Sequence, residues 1–279
     1  MLNLVTVVGR NTHLLPHMLK HYENLVDNIY VGVYRQSEDD GILEEIEELG
    51  IKPFMVVTDS KYNWDRVTEM YNLIKQTKPN EWWIISDDDE LQVYPYNINE
   101  IIKECEENNF SFVTGGFLDR IGPDGTFPVV TRDTDIHKAF PLAGFFRYPM
   151  SGACPNKVTL CKGSQVISSG QHYAEFTNGK NSWGRWHKNR MPIDNVFVQV
   201  HHFKWDSSCK QRIKEVSETI EDYSWWWEYK KLYDNLQQSD WKVDINNKDY
   251  FVEELKNFSY IDYTDYPHWS KLTDLIVNI

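Results

Sequence analysis

Short apolar runs alternate with helical patterns over the first hundred residues of the chain. The apolar runs predict strands at Leu4–Val8, Ile29–Tyr34, Pro53–Val57 and Trp82–Ser86. Apolar residues at helical spacing predict helices at His13–Leu25, within "EDDGILEEIEELG", at Trp64–Gln76 and at Asn97–Glu107. Strands and helices in this alternating order form a mainly parallel sheet with helices on both faces, so we predict an α/β fold.

A different pattern follows residue 107. Glycines and prolines interrupt the apolar runs at short intervals as far as "SQVISSG", which predicts a mixed, antiparallel extension of the sheet. In "CKQRIKEVSETIEDYSWWWEYKKLYDNL" the apolar residues return at intervals near 3.6, which predicts one amphipathic helix.

Composition and charge narrow the functional classes. The net charge of −13 argues against a surface that binds nucleic acid or anionic lipid. The four cysteines lack paired spacing, which favours free thiols in a reducing compartment. The segment "MLNLVTVVGRNTHLLPHML" lacks a signal-peptide pattern, and no window is apolar enough for an integral membrane segment. We therefore expect a soluble, cytoplasmic protein.

The ends of the predicted parallel strands are where a ligand is expected. The first turn, "VVGRNTHLL", contains neither GxGxxG nor GxxxxGK[ST], which argues against a dehydrogenase or a P-loop NTPase. The fourth strand instead ends in four consecutive acids, Asp87, Asp88, Asp89 and Glu90.

Three explanations for this acidic run are a solvated strand end, a calcium loop, and a Mg²⁺ or Mn²⁺ site that also holds a diphosphate. The segment "DDDELQVYPYNI" lacks the glycine and the distal glutamate of an EF-hand. A solvated end leaves four like charges without compensation. In an extended chain Asp87 and Asp89 project to the same side, about 6.6 Å apart. One carboxylate can then bind the ion while the other accepts a hydrogen bond from a sugar or ribose hydroxyl.

The segment "WWIISDDDEL" resembles the W-hydrophobic-D-x-D-E segment of GT-A glycosyltransferases related to family 2. "FVTGGFLDRIGPDG" and "VHHFKW" are similar to downstream blocks of such enzymes, including some from large algal viruses. The resemblance spans roughly residues 4 to 206. It implies a GT-A domain over 1–206, with a Rossmann-like nucleotide-sugar donor half at 1–95 and an acceptor half at 96–206. Residues 207–279 would form a C-terminal helical extension packed on the same domain.

By this resemblance Asp89 binds the metal ion, Asp87 bridges to the metal or to the nucleotide ribose, and Asp88 orients its neighbours. The departing nucleoside diphosphate builds negative charge that a divalent ion stabilises. Enzymes of this type often use a carboxy-terminal histidine as a further metal ligand. We expect His202 in that role, with His201 as the alternative, since strand alternation sends the two rings to opposite faces.

An inverting transferase needs a general base near the acceptor hydroxyl. The candidates are Asp119, Asp133, Asp135 and Glu175. We prefer Asp119 because two preceding glycines allow the backbone to approach a ligand closely. An ion pair between Asp119 and Arg120 is the alternative explanation.

Donor and acceptor contacts are expected from other polar and aromatic positions. Candidates for nucleotide binding lie at the ends of the first two strands and on one helix: Gly9, Arg10, Asn11, Tyr34, Arg35 and Arg66. A guanidinium such as that of Arg10 can bond two diphosphate oxygens. Candidates for acceptor binding are His172, Trp183 and Trp186, with core packing as the alternative for the tryptophans.

The sequence therefore predicts a metal-dependent glycosyltransferase that moves a sugar from a nucleoside-diphosphate sugar, with UDP-hexose favoured, to a sugar or glycan hydroxyl with inversion. If the chain is viral, the host cytoplasm is the expected location. The alternatives are a sugar-nucleotide nucleotidyltransferase and a non-catalytic carbohydrate-binding protein.

Overall fold

The first half of the chain folds as alternating strands and helices. A computed structural model describes residues 1–174, 189–219 and 226–262. Its first strands and helices, in chain order, are β1 Leu2–Val8, α1 Leu15–Tyr22, β2 Asn28–Arg35, α2 Ile42–Glu48, β3 Met55–Thr58, α3 Trp64–Gln76, β4 Trp82–Ile85, β5 Glu90–Val93 and α4 Ile98–Glu107. The predicted order is confirmed apart from β5, which the sequence did not predict, and the helix predicted at Trp64–Gln76 has those bounds.

Shorter elements follow, as the Gly- and Pro-rich pattern indicated. They are β6 Phe112–Ile121, α5 Ile136–Ala139, β7 Leu142–Gly144, α6 Arg147–Ser151, β8 Asn156–Lys162, β9 Val198–His202, α7 Cys209–Glu218, α8 Trp226–Gln238 and β10 Glu253–Glu254. Two single turns of 3₁₀ helix lie at Pro123–Gly125 and Ser169–Gln171. In the described part of the chain, no helix is long and apolar enough to cross a membrane.

A parallel sheet forms the centre of the fold. Strands β4, β1, β2 and β3 lie side by side in that order and pair in parallel. Strand β8 joins β4 in antiparallel orientation, and the start of β6 pairs antiparallel with β8. Every residue of β1 and β4 is buried, as expected for strands covered on both faces. The predicted α/β class with a mixed extension is confirmed.

The described residues divide into two compact units. The first unit contains residues 1–116, 156–174, 189–200 and 260–262, and the second contains 117–155, 201–219 and 226–259. The chain passes from one unit to the other within β6 and again within β9. The functional halves predicted at 1–95 and 96–206, and the extension predicted from 207, stay predictions.

In the second unit, the end of β6 pairs antiparallel with β7, and β7 pairs antiparallel with β10. Helices α6 and α7 both pack against α8. The prediction of one helix across residues 209–236 was wrong, because α7 ends at Glu218 and Thr219 has non-helical backbone angles. The hydroxyls of Ser217 and Thr219 donate to carbonyls of the preceding turn, at Lys214 and Glu215. Such side-chain bonds are typical of residues that weaken a helix from within.

Gly115 lets two strands of the first unit approach closely. A Cβ atom at this position would lie 2.1 Å from the carbonyl oxygen of Val198 in β9. From the sequence we interpreted this glycine as a position where the backbone approaches a ligand, and that interpretation was wrong. The neighbour is backbone of the same chain, and it occupies the space that a side chain would need.

Candidate functional site

The acidic run lies in a tight turn at the carboxyl end of β4. The backbone N–H of Glu90 donates to the carbonyl of Asp87 at 3.0 Å, and the Ser86 hydroxyl donates to the carbonyl of Glu90 at 2.6 Å. The turn leads directly into β5, which begins at Glu90. Because β4 is the neighbour of β1 in the parallel part of the sheet, the turn lies at the edge where such sheets bind ligands.

A buried lysine compensates two of the four acids. Lys157, on β8, places its ammonium nitrogen 3.1 Å from Asp87 Oδ2 and 2.8 Å from Glu90 Oε1. The side chains of Lys157 and Glu90 are 2% and 1% exposed, whereas that of Asp87 is 35% exposed. Lys157 also donates to the Gly170 carbonyl at 3.1 Å and to the side-chain oxygen of Gln171. The ammonium is therefore held by four oxygen atoms.

Tyr71 fixes the other side of Asp87. Its hydroxyl donates to Asp87 Oδ1 at 2.7 Å and accepts a hydrogen bond from the backbone N–H of Val7 at 3.1 Å. Burial and the charge of Asp87 raise the pKa of Tyr71, so the phenol stays protonated as a donor. Both carboxylate oxygens of Asp87 are thus engaged within the protein.

The same contacts separate the pKa values of the two acids. Burial opposes ionisation of Asp87, but Lys157 and the Tyr71 hydroxyl outweigh it and lower the pKa of Asp87 to about 2. Burial raises the pKa of Glu90 to about 8 despite the attraction of Lys157. Repulsion from the Asp87 and Asp89 carboxylates acts in the same direction as burial. For Lys157, burial is outweighed by the two acids, and its pKa is raised.

Asp88 and Asp89 occupy the middle of the turn and are both partly exposed. Their carboxylates provide the hard oxygen donors that Mg²⁺ and Mn²⁺ prefer. Lys157 offsets charge on the two flanking acids. The donor chemistry of the turn therefore fits a divalent cation better at Asp89 than at Asp87, whose oxygens bond Tyr71 and Lys157.

Three donor-site candidates lie at the end of β1. A Cβ at Gly9 would lie 3.1 Å from the carbonyl oxygen of Tyr34, so the glycine allows close packing of neighbouring strand ends. Arg10 and Asn11 are exposed. The Arg10 guanidinium lies 5.9 Å from the ring centroid of Tyr62 and 3.4 Å from the Gln36 side-chain oxygen.

The other donor candidates have structural contacts. The Tyr34 ring is buried, and its hydroxyl donates to the Lys61 carbonyl at 3.0 Å. Arg35 donates to the Thr58 hydroxyl and to the Glu38 carbonyl, both at 3.0 Å. Arg66 is exposed and pairs with Glu69 on the same helix.

Asp119, in the second unit, is buried and accepts three hydrogen bonds. Its Oδ1 accepts from His202 Nδ1 at 3.1 Å and from the Trp205 indole N–H at 2.9 Å, and its Oδ2 accepts from the Arg147 backbone N–H at 2.9 Å. The His202 ring also stacks on Phe117, with centroids 4.5 Å apart. This arrangement fixes the orientation of His202. A carboxylate at Nδ1 favours the tautomer whose Nε2 carries a lone pair, as in metal-binding histidines.

Arg120 on β6 and His201 on β9 lie next to Asp119 and His202 in sequence but have different contacts. Arg120 is fully buried and donates to the Phe140 carbonyl at 2.6 Å and to the Leu255 carbonyl. Its guanidinium lies 3.1 Å from His201 Nδ1. Asp119 and Arg120 bond different partners, as expected for consecutive strand residues on opposite faces, and His201 lies on the side of Arg120.

The remaining candidates are dispersed. Asp133 is exposed, and Asp135 is the N-cap of α5 and pairs with Lys138 at 2.9 Å. His172, in the first unit, bonds the Asn156 carbonyl through Nδ1 at 2.7 Å. Glu175, Trp183 and Trp186 lie outside the described residues.

Sequence reasoning missed Lys157 and Tyr71. One signal was present for the lysine, because "NKVTLCKG" places a charge within an apolar strand, where an unpaired charge is costly. Its acidic partner Asp87 is 70 residues away in the sequence, and the spacing of residues could not identify it.

Comparison with models of known protein families and with curated protein sequences found no match. Similar solved structures include a candidate glucose-1-phosphate thymidylyltransferase from Bacillus anthracis in complex with a sucrose, at 11% identity and a TM-score of 0.34, covering 82% of this chain and 99% of that one. A 4-diphosphocytidyl-2C-methyl-D-erythritol synthase has 11% identity and a TM-score of 0.32, covering 58% and 75%. S. aureus TarS has 12% identity and a TM-score of 0.29, covering 58% and 28%. Likeness at this level identifies no family for this chain.

Proposed function

We propose that the chain is a metal-dependent GT-A glycosyltransferase that transfers a sugar from a nucleoside-diphosphate sugar, with UDP-hexose favoured, to a sugar or glycan hydroxyl. One observation carries the proposal. The turn that follows β4 lies at the ligand-binding edge of the parallel strands, and a buried ammonium balances its two outer acids while Asp88 and Asp89 remain partly exposed.

In this proposal Asp89 holds Mn²⁺ or Mg²⁺, and Asp88 supports it directly or through water. A divalent cation bound there would stabilise the charge of the leaving diphosphate. Asp87 is held by Tyr71 and Lys157, which suits it to accept a hydrogen bond from a donor hydroxyl in a fixed orientation. The prediction that His202 is also a metal ligand rests on the sequence resemblance and stays a prediction.

Donor binding is proposed for the exposed Arg10 at the end of β1, where a guanidinium can bond diphosphate oxygens. Inverting displacement needs a base, and Asp119 remains the proposed candidate from the sequence. Its three hydrogen bonds favour a second role, in which it orients His202.

The test is a thermal-shift panel of UDP-, GDP- and dTDP-glucose with and without Mn²⁺. A ligand that binds only the folded state raises the melting temperature, so one nucleotide sugar should raise it in a metal-dependent way. Asp89→Asn should abolish that rise, and Asp194→Asn, an exposed acid of the same unit, should preserve it. An unchanged metal-dependent shift in Asp89→Asn would contradict the assignment of Asp89.

Product analysis then separates the alternatives. Release of nucleoside diphosphate from the donor, with transfer to an added glycan, supports the proposal. Release of pyrophosphate from a nucleoside triphosphate would instead identify a nucleotidyltransferase. Glycan binding with no response to any nucleotide would identify a carbohydrate-binding protein.

A further inference from the structure

A buried tyrosine of α1 contacts both ends of the acidic turn. Tyr22 is the last residue of α1, and α1 packs against β5. Its side chain is fully buried, and its hydroxyl lies 3.1 Å from Ser86 Oγ. The same hydroxyl accepts a hydrogen bond from the backbone N–H of Gln92 at 2.9 Å. Because Ser86 directly precedes the acidic run and Gln92 follows it, Tyr22 joins the chain before the turn to the chain after it.

The hydrogen bonds run in one direction. Ser86 Oγ donates to the Glu90 carbonyl at 2.6 Å, so the proton between the two hydroxyls comes from Tyr22. The chain of bonds leads from the Gln92 N–H through Tyr22 and Ser86 to the Glu90 carbonyl. Burial raises the pKa of Tyr22, so the phenol stays protonated and serves as donor and acceptor at once. Two buried side chains thus bond two backbone groups at the start of β5, as buried backbone groups require.

Tyr71 meets the same serine from another helix. Its hydroxyl lies 3.2 Å from the Ser86 carbonyl oxygen and 2.7 Å from Asp87 Oδ1. Tyr71 belongs to α3 and Tyr22 to α1, so two helices hold the residue at which the turn begins. The turn is therefore fixed by buried groups at its ends, whereas Asp89 near its middle is partly exposed.

We propose that Tyr22 is a positioning residue for the divalent cation, because its hydroxyl, through Ser86 and the backbone of Gln92, fixes the turn that carries Asp89. This inference rests on the proposed function, in which Asp89 holds Mn²⁺ or Mg²⁺. Groups that orient a metal ligand without touching the ion change metal affinity about 10–100-fold when they are removed. A turn held at both ends also loses less conformational freedom when its carboxylate binds a cation.

Two measurements on the full chain test the proposal with Tyr22→Phe, which keeps the ring and removes the hydroxyl. Hydrogen exchange of the metal-free chain, read by mass spectrometry, reports the order of the turn. A peptic fragment that contains residues 86–92 should exchange about tenfold faster in the variant, because a buried N–H loses its acceptor. Calorimetric titration with Mn²⁺, without donor, should give a Kd at least about tenfold higher than that of wild type.

Tyr260→Phe is the matched control. The Tyr260 hydroxyl donates to the Phe197 carbonyl at 3.0 Å in the same unit, and this bond involves no residue of the turn. The control should leave the exchange of residues 86–92 and the Kd for Mn²⁺ at their wild-type values.

Ser86→Ala removes the second hydroxyl of the chain of bonds. If the two hydroxyls act through one link, the double variant should raise the Kd by less than the product of the two single effects. Fully multiplicative effects would overturn the link through Ser86. Circular dichroism establishes that each variant is folded, and if Tyr22→Phe is unfolded, Ser86→Ala decides the outcome by the same two measurements.

A wild-type Kd for Mn²⁺ in Tyr22→Phe would overturn the proposal even if the turn exchanges faster, because Tyr22 would then stabilise the fold only. Equal rises of the Kd in Tyr22→Phe and Tyr260→Phe would also overturn it, as an effect of general destabilisation. The proposed function fails by a different result. If wild type does not bind Mn²⁺, or Asp89→Asn binds it equally well, the turn holds no cation at Asp89 and both conclusions are wrong.

Discussion

The ammonium of Lys157 lies 3.1 Å from the carboxylate of Asp87, and this pair joins the antiparallel strand β8 to the carboxyl end of the parallel strand β4. The same ammonium lies 2.8 Å from Glu90. A run of four acids can therefore follow a fully buried strand, because the counter-charge lies beneath the turn. Asp88 and Asp89, in the middle of the turn, are partly exposed, as is the side chain of Asp87.

Removing the lysine charge should strongly destabilise the fold. In Lys157→Met the side-chain volume is nearly preserved, but the ionised Asp87 loses its buried counter-charge and Glu90 loses a hydrogen-bond donor. We expect a loss of about 3–5 kcal/mol in the free energy of unfolding at pH 7, measured by urea denaturation. Lys162→Met, on the same strand but 4.0 Å from a half-exposed Glu106, should cost less than about 1 kcal/mol. Equal stability of Lys157→Met and wild type would show that the buried pair contributes nothing.

The pH dependence of stability should report the raised pKa of Glu90. A glutamate in the unfolded chain titrates near 4.5, whereas burial raises the pKa of Glu90 to about 8. Between these values the native state holds a proton that the unfolded chain has released, so stability should fall as the pH rises from 5 to 8. Asp87 affects stability in a different pH range, because its lowered pKa makes stability fall as the pH drops from about 4 toward 2.

Glu90→Gln removes the titrating group, so the decline between pH 5 and 8 should become shallower in this variant. Glu107→Gln is the control, because Glu107 is exposed on α4. Its stability should follow the wild-type pH profile. Parallel profiles for wild type and Glu90→Gln would mean that Glu90 titrates in the folded protein as it does in the unfolded chain.

Local periodicity was enough to predict the parallel part of the sheet. The apolar runs of β1 and β4 are buried along their whole length, so a continuous apolar run was enough to identify each as a central strand. The position of the acidic turn followed from the same pattern, because the turn comes directly after a parallel strand and so lies at the carboxyl edge of the sheet. These predictions needed only interactions between residues near one another in sequence.

Contacts between distant segments were not predictable in this way. Lys157 and Asp87 are 70 residues apart, and nothing in either segment specifies the other. The close approach of Gly115 to Val198 depends on strand pairing across more than 80 residues, which is why the glycine was assigned to a ligand. The end of α7 at Glu218 lies within an apolar pattern that continues at helical spacing, so the pattern alone could not locate it.

Gly115 should tolerate no side chain. In Gly115→Ala the new methyl group would meet the Val198 backbone carbonyl at 2.1 Å, and backbone cannot move aside without disturbing β9. We expect a loss of about 3 kcal/mol or more in the free energy of unfolding. Gly32→Ala is the matched control in β2, since its methyl would meet side-chain atoms and no backbone at the nearest distances: the ends of Ile74 and Met70 at 3.2 Å and a methyl of Val7 at 3.3 Å. It should change stability by no more than about 1 kcal/mol, and a similar loss in both variants would contradict the role of the β9 backbone.

Asp119→Asn should separate a positioning role from a base role. His202, Trp205 and the Arg147 backbone all donate to this carboxylate, so an amide must place its NH₂ group against at least one of them. We expect a loss of about 1–3 kcal/mol in the free energy of unfolding, with Asp133→Asn as an exposed control that changes it by less than about 0.5 kcal/mol. If Asp119 orients His202, the affinity for Mn²⁺, measured by calorimetry without donor, should fall together with turnover. If Asp119 is the base, turnover should fall while Mn²⁺ affinity stays at the wild-type value. Wild-type stability in Asp119→Asn would contradict the hydrogen-bonded arrangement itself.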